Sequence, residues 1–294
     1  MEETIEMFIS FLRDIKHLSE NTFISYRRDL MKMSNYFEKQ GIKSPDKITA
    51  TNINTYILWL EKNGCASTTV SRYIASMKAY FHYMLQIGKI NIEPTLLVKG
   101  PVIEKKMPNV LSVEEIDKLL KQPSSSNNKG IRDKAMLELL YATGIRVSEL
   151  IDLEVQDINL QLGYIVCKDK NKERIVPFGI PAKNAINKYM ESARENMIKG
   201  KENNILFVNC SGRHMSRQGF WKIIKHYGEM AGIEETITPH TLRHSFALHL
   251  VENGANLHAV QEMMGHSVVS TTQMYANMKT SKLRDEYSKN HPRI

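Results

Sequence analysis

Apolar residues follow a helical spacing along most of this 294-residue chain, but the spacing fails over residues 91–109. Three prolines and Gly100 stand there among isolated charges, a pattern typical of an extended connection. The chain also exceeds the length at which one hydrophobic core usually stops growing, which favours two domains. We therefore predict a first domain over residues 1–90, a linker over 91–109 and a second domain over 110–294.

The first domain is predicted to be a bundle of helices. Ile5, Phe8, Ile9 and Leu12 show the three-and-four spacing of an amphipathic helix, and similar faces recur in the later segments. Glycine follows the second, third and fourth segments, where helices commonly end. The four predicted helices span residues 2–15, 19–41, 51–62 and 68–87.

Basic and aromatic side chains lie on two of these predicted helices. The second helix carries Tyr26, Arg27 and Arg28, and the fourth carries Arg72 and Lys78. A surface that contacts phosphate groups and an ordinary solvated helix face explain this pattern equally well.

The second domain is predicted to be mostly helical with a small antiparallel sheet. Ser112 and Glu115 have the spacing of a capping box at a helix start, and a helical stretch over 131–153 is interrupted at Thr143 and Gly144. Strand-forming residues at 163–167 and 174–178 flank a polar turn, which predicts a β-hairpin. Two further helices are predicted over residues 182–197 and 218–232.

Side chains that bind phosphate are concentrated in residues 238–277. His240, Arg243, His266 and Tyr275 lie in this segment, and His240 and Arg243 share one helix face because they are three positions apart. Arg146 supplies a second guanidinium just after the interruption in the long helical stretch. Two guanidiniums can grip both non-bridging oxygens of a phosphodiester, and a deprotonated tyrosine hydroxyl can attack phosphorus.

Charge and composition narrow the class of protein. A net charge of +8 favours a polyanionic partner such as nucleic acid. Three scattered cysteines indicate neither disulfides nor a cysteine zinc site. His240 and His244 have the spacing of a zinc pair, but Thr241 stands where the HExxH pattern has glutamate, so no metal site is predicted. The first residues do not resemble a targeting signal and no stretch of 18 apolar residues occurs, so we expect a cytoplasmic protein.

Three ordered motifs, ATGIRVSEL, PHTLRHSFALHL and MMGHSVVSTTQMY, together resemble the tyrosine recombinase (phage integrase) family. The similarity also includes ENTFISYRRDL, RDKAMLELLYATG, NKERIVP and HPR, and so extends over almost the whole chain. It is closest to the Xer-type members and, among these, to the XerD branch. The resemblance implies a mainly α fold, with an N-terminal SAM-like core-binding bundle that binds DNA and a C-terminal catalytic domain.

The resemblance also implies roles for single residues. Tyr275 matches the nucleophile, and Glu149 matches an acidic position with a supporting role. The implied catalytic residues are Arg146, Lys170, His240, Arg243, His266 and Tyr275.

The lysine is assigned with two alternatives. In the family it lies at the hairpin turn and protonates the departing 5′ oxygen. This chain has KDKNKER where GKGNKER is usual, and its hairpin is one residue shorter. Counting forward from Gly163 selects Lys170, whereas counting back from NKER reaches Asp169. Lys170 is therefore the predicted general acid and Lys168 the second choice.

The activity implied by the family is two transesterifications through a 3′-phosphotyrosyl link, without metal, ATP or any other cofactor. The expected partners are double-stranded DNA, a homo- or hetero-tetramer with a second Xer-type recombinase on two DNA sites, and a DNA translocase as activator. The implied function is resolution of chromosome dimers at a dif-like site. The alternatives are a mobile-element integrase of the same family, a type IB topoisomerase and a non-catalytic DNA-binding regulator.

Overall fold

The computed structural model describes residues 1–102, 109–169, 172–234, 237–265, 287 and 289–292. The chain divides into two compact units, Met1–Lys106 and Met107–Ile294, and each has its own hydrophobic core. Within the described ranges, no helix is both long and apolar enough to cross a membrane.

Over residues 1–102, the first unit has the four α-helices that were predicted. They span Glu2–Asp14 (α1), Glu20–Glu38 (α2), Ala50–Lys62 (α3) and Ser67–Gln86 (α4). Thr49 caps α3 by accepting a hydrogen bond from the Asn52 backbone N–H. The core is rich in aromatic side chains, including Phe8, Phe37, Tyr56, Tyr80 and Phe81. Val98, from the predicted linker, is also buried in this core.

The second unit is mostly helical. Its α-helices span Val113–Lys121 (α5), Asn128–Thr143 (α6), Val147–Asp152 (α7), Ile180–Tyr189 (α8), Glu195–Ile198 (α9), Arg217–Met230 (α10), Pro239–Glu252 (α11) and Leu257–Met264 (α12). A turn of π-helix, Met190–Arg194, connects α8 to α9.

An antiparallel sheet in the order β1-β2-β3 completes the second unit. The strands are Ile158–Asn159 (β1), Tyr164–Asp169 (β2) and Lys172–Pro177 (β3). The hairpin between β2 and β3 was predicted, whereas β1 has only two residues and leaves no alternating pattern to detect. The predicted fold class, mainly helical in two domains with a small antiparallel sheet, is confirmed.

Helix α6 forms the centre of the second unit, because nearly all of its residues are buried. It even buries a charged pair, in which Arg132 Nη2 lies 2.5 Å from Asp133 Oδ1. Arg132 also donates to the Val208 carbonyl at 3.0 Å, and the Tyr227 hydroxyl donates to Asp133 Oδ2 at 3.0 Å. Burial along nearly its whole length therefore fixes α6, and the first predicted catalytic residue follows shortly after this helix ends.

Candidate active site

Arg146 is placed by a sharp turn at the end of α6. Gly144 ends that helix in a left-handed conformation, φ 58°, and its N–H donates to the Leu140 carbonyl at 2.9 Å. The turn is also tightly packed, since a Cβ at Gly144 would lie 2.2 Å from the Phe246 ring. The chain then passes through buried Ile145 and begins α7 with Arg146 as its N-cap residue.

Two further predicted residues, His240 and Arg243, lie near the start of α11. Thr238 caps this helix by accepting from the Thr241 N–H at 3.1 Å, and Pro239 occupies the first turn, where its fixed φ suits a helix. This fixed start presents His240 at the surface and Arg243, one turn later, in a buried position.

The two elements meet around one cavity. Arg146, His240 and Arg243 all line it, and its volume is about 500 Å³. Arg217 and Trp221 of α10 contribute to the same lining. The structure thus brings together three of the six residues assigned by resemblance, although 97 positions separate Arg146 from Arg243 in the sequence.

Arg243 is held by main-chain carbonyls. Its Nη1 donates to the Gly144 carbonyl at 2.5 Å, and its Nη2 donates to the Met264 carbonyl. Burial, followed by the nearby positive charge of Arg146, lowers the pKa of Arg243 to about 10. The guanidinium remains protonated at neutral pH, so both arginines bring a positive charge to the cavity. Among the described contacts, no acidic side chain bonds directly to Arg243.

Glu149 is the acidic residue beside Arg146. Its Oε2 accepts from the Arg146 backbone N–H at 2.7 Å, and its Oε1 accepts from Arg146 Nη1 at 3.0 Å. Both oxygens also accept from Arg174 of β3, at 2.7 and 2.8 Å. Burial raises the pKa of Glu149, but hydrogen bonds from Arg174 and Arg146 outweigh this effect and leave the pKa below its ordinary value. Glu149 is therefore ionised and shared by two arginines.

Three consecutive carbonyls at the end of α12 each accept from a different arginine. Arg174 Nε donates to the Met263 carbonyl at 2.9 Å, Arg243 Nη2 donates to the Met264 carbonyl, and Arg146 Nη2 donates to the Gly265 carbonyl at 2.6 Å. The carboxyl end of a helix carries partial negative charge and unpaired carbonyls, so it is suited to bind cations. Helix α12 thus gathers the three guanidiniums directly before His266 in the sequence.

The other three predicted catalytic residues cannot be placed in this cavity. Lys170, His266 and Tyr275 lie outside the described residues. Lys168, the second choice for general acid, donates to Asp157 Oδ1 at 2.5 Å, and this hydrogen bond raises the lysine pKa. Among the described residues, no three His, Cys, Asp or Glu side chains gather into a metal-binding group.

Arg174 is a residue of the site that sequence reasoning missed. It lies in the NKER motif, but its partners Glu149 and Met263 are 25 and 89 positions away. Its place on β3 follows from the register of the hairpin, in which Arg174 pairs with Cys167. The hairpin was predictable, but no local pattern indicates that α12 packs beside it.

Comparison with known proteins identifies the class. The sequence pattern of the phage integrase family matches residues 109–282, and that of the phage integrase N-terminal SAM-like domain matches residues 5–88. The chain therefore belongs to the phage integrase family and is a tyrosine recombinase.

Full-length relatives place it more closely. The chain is 44% identical to tyrosine recombinase XerD of Staphylococcus haemolyticus over all of both chains. It is 45% identical to tyrosine recombinase XerD of Oceanobacillus iheyensis, over all of this chain and 99% of that one. A crystal structure of XerH recombinase bound to a palindromic difH substrate shares the fold, with a TM-score of 0.74, 22% identity and coverage of 98% of this chain and 84% of that one. The resemblance to XerD-type recombinases is thereby confirmed.

Proposed function

We propose that this recombinase cuts and rejoins double-stranded DNA through a 3′-phosphotyrosyl link on Tyr275. The observation that carries the proposal is the cavity lined by Arg146, His240 and Arg243. Two guanidiniums that line one partly buried cavity repel one another, and a phosphodiester bound by both would relieve that repulsion. The same pair would stabilise the further negative charge that builds up at phosphorus during attack.

The proposed reaction conserves the phosphodiester bond. The Tyr275 oxygen attacks the scissile phosphorus, the bond from phosphorus to the 5′ oxygen breaks, and Lys170 gives its proton to that oxygen. A 5′ hydroxyl of a partner strand then attacks the phosphotyrosine and releases Tyr275. His240 and His266 would donate hydrogen bonds to the phosphate. Since the bond is exchanged and not hydrolysed, the proposal needs no ATP, metal or other cofactor.

Lys170 is preferred to Lys168 as the general acid for an electrostatic reason. The Lys168 ammonium is engaged with Asp157, and a raised pKa makes it a weaker acid. The carboxylate would also compete with the departing oxygen for its proton. These contacts support Lys170 by making its alternative less suitable.

The first unit is proposed to hold the duplex through α2 and α4. Lys32 lies over the rings of Trp59 and Tyr73, with its Nζ 5.6 and 5.3 Å from their centroids. Arg72 Nη2 lies 3.0 Å from Asp29 Oδ1, and the Arg72 side chain is 34% exposed. These cations are pre-positioned by aromatic and acidic neighbours, which supports a surface that contacts phosphates. Arg27 is likewise paired with an acidic residue, Glu6, at 2.6 Å.

For the biological role, we propose resolution of chromosome dimers at a dif-like site. The support is full-length similarity to proteins named XerD. The assembly would be a tetramer on two DNA sites, formed by this chain alone or with a second Xer-type recombinase, and a DNA translocase would activate it.

The decisive test is a covalent trap. The binding site is first selected from random-sequence duplexes with the purified protein, and its footprint is mapped. The site is then synthesised with a nick beside the scissile phosphate. After cleavage the short fragment diffuses away, so the covalent adduct cannot be resealed. We expect the wild type to form a covalent adduct and Tyr275→Phe to form none. Tyr189→Phe, which alters a tyrosine buried in the core of the same unit, is the matched control and should still form the adduct.

Three outcomes decide between the functions. A wild type that binds but forms no adduct would be a DNA-binding regulator. A Tyr275→Phe variant that forms the adduct as well as the wild type would disprove the assigned nucleophile. A protein that relaxes supercoiled plasmid but does not recombine two copies of the site would be a topoisomerase.

A further inference from the structure

Arg174 connects three parts of the site. Its Nη1 and Nη2 form a two-pronged pair with the Glu149 carboxylate, and its Nε donates to the Met263 carbonyl. Only 15% of the side chain is exposed, and Arg174 is not among the described residues that line the cavity. Since these hydrogen bonds are made to the protein, we expect Arg174 to act on a bound phosphate mainly through the groups that it holds in place.

Glu149 transmits that effect to Arg146. The carboxylate carries one negative charge, and two guanidiniums share it at 2.7–3.0 Å. With Arg174 present, the three groups together keep one positive charge that Arg146 can direct at a phosphate. Without Arg174, Glu149 would pair with Arg146 alone, and the pair would be neutral.

Packing at the end of α12 supports a specific position for Arg174. Gly265 has φ 63°, and a Cβ there would lie 2.8 Å from Arg174 Cζ. The guanidinium therefore fits against a glycine that also supplies the carbonyl for Arg146 Nη2. Displacement of Arg174 would disturb both supports of Arg146, the carboxylate and the carbonyl.

We propose that Arg174 is a positioning residue for Arg146: it takes up half of the Glu149 charge and holds the end of α12, so that Arg146 stays cationic and aimed at the scissile phosphate. This inference rests on the proposed function, in which Arg146 binds that phosphate.

The test compares two scissile groups in single-turnover cleavage of the nicked duplex. One substrate has the natural phosphodiester, and the other has an uncharged methylphosphonate at the same position. Arg174→Gln should slow phosphodiester cleavage by about tenfold to a hundredfold, as is typical for loss of a supporting partner. It should slow methylphosphonate cleavage by less than about threefold, because the group no longer carries the charge that Arg146 neutralises.

Arg194 provides a matched control in the same unit. It is also a buried arginine that donates to main-chain carbonyls, those of Asn203, Ile205 and Leu206, but it takes no part in the cavity among the described residues. Arg194→Gln should lower thermal stability and slow both substrates by the same factor. Arg174→Lys, which keeps the charge but loses the two-pronged geometry, should fall between wild type and Arg174→Gln.

A double variant makes the charge argument decisive. The double variant Arg174→Gln, Glu149→Gln lacks the carboxylate that would neutralise Arg146. It should therefore cleave the phosphodiester at least about threefold faster than Arg174→Gln alone. If there is no recovery and Arg174→Gln slows both substrates equally, Arg174 is only structural and the inference is wrong. If Arg174→Gln does not fold, Arg174→Lys decides in the same way, through the ratio of its cleavage rates on the two substrates. Failure of the proposed function would appear separately, as a wild type that forms no adduct.

Discussion

The turn at Gly144 offers the sharpest test of how the site is built. The residue has φ 58°, and Gly144→Ala would place its Cβ 2.2 Å from Cδ1 of Phe246. Phe246 is fully buried in the core of the second unit, so the ring has no free space into which to move. The Gly144 carbonyl also accepts the hydrogen bond from Arg243, and Arg146 follows two residues later. One added methyl group should therefore disturb both stability and site geometry.

The expected magnitude has two parts. A left-handed conformation costs an alanine about 1–2 kcal/mol, and an extra methyl in a filled core costs about 1–3 kcal/mol. Their sum is about 2–5 kcal/mol of lost unfolding free energy, which corresponds to a fall of roughly 4–20 °C in Tm for a domain of this size.

Gly232→Ala is the control that separates the two parts. Gly232 also has a positive φ, 68°, but a Cβ added there would meet no atom of the described chain within 4 Å beyond its own chain neighbours. It should lose only the conformational part, about 1–2 kcal/mol. Urea denaturation of both variants measures the difference in their free energies of unfolding, and the rate of cleavage of the nicked duplex measures the activity of the site. If both variants lose the same free energy of unfolding, Phe246 does not pack tightly against the turn.

Two other predictions concern protonation. Lys170→Ala should slow cleavage strongly and recover when the 5′ leaving group is a thiolate, which needs no proton; recovery in Lys168→Ala instead would show that the assigned register of the turn is wrong. Burial lowers the pKa of His249, whose Nδ1 lies 2.9 Å from the Tyr141 hydroxyl. The unfolded chain therefore binds more protons near pH 6, so stability should be full above the ordinary histidine pKa of about 6.5 and should decline below it. His249→Gln should show a flatter dependence of Tm on pH between about 5 and 8, and an unchanged slope would contradict this assignment.

Local signals in the sequence were sufficient for much of the fold. The capping box at the start of α5 was predicted from Ser112 and Glu115, and both of its hydrogen bonds are present, at 2.8 and 3.2 Å. Gly41, Gly64 and Gly88 follow their helices with φ between 69° and 78°, because each chain reversal needs a left-handed residue. Such features depend on a few neighbouring residues and can therefore be read from the sequence.

Contacts between distant segments could not be predicted in the same way. The two hydrogen bonds from Arg174 to Glu149 join β3 to α7, and no sequence periodicity links these two elements. Asp29, buried beneath Arg72, likewise looks like an ordinary exposed acid on a helix in the sequence. The resemblance supplied Arg146, Arg243 and the supporting Glu149, but neither Arg174 nor the carbonyls of α12 that hold both catalytic arginines. Those groups depend on packing, which local propensity does not encode.

The way in which the arginines are held bears on why the site can bind an anion at all. Three guanidiniums, Arg146, Arg174 and Arg243, would be dispersed by mutual repulsion unless other groups oriented them. A carboxylate for each would orient them but would also cancel their charge. Here one carboxylate serves two of them, and the end of α12, which carries only about half an elementary charge, contacts all three. The negative charge supplied by these groups is thus well below three, so the arginines are fixed in place while the cavity keeps the excess of positive charge that a scissile phosphate would require.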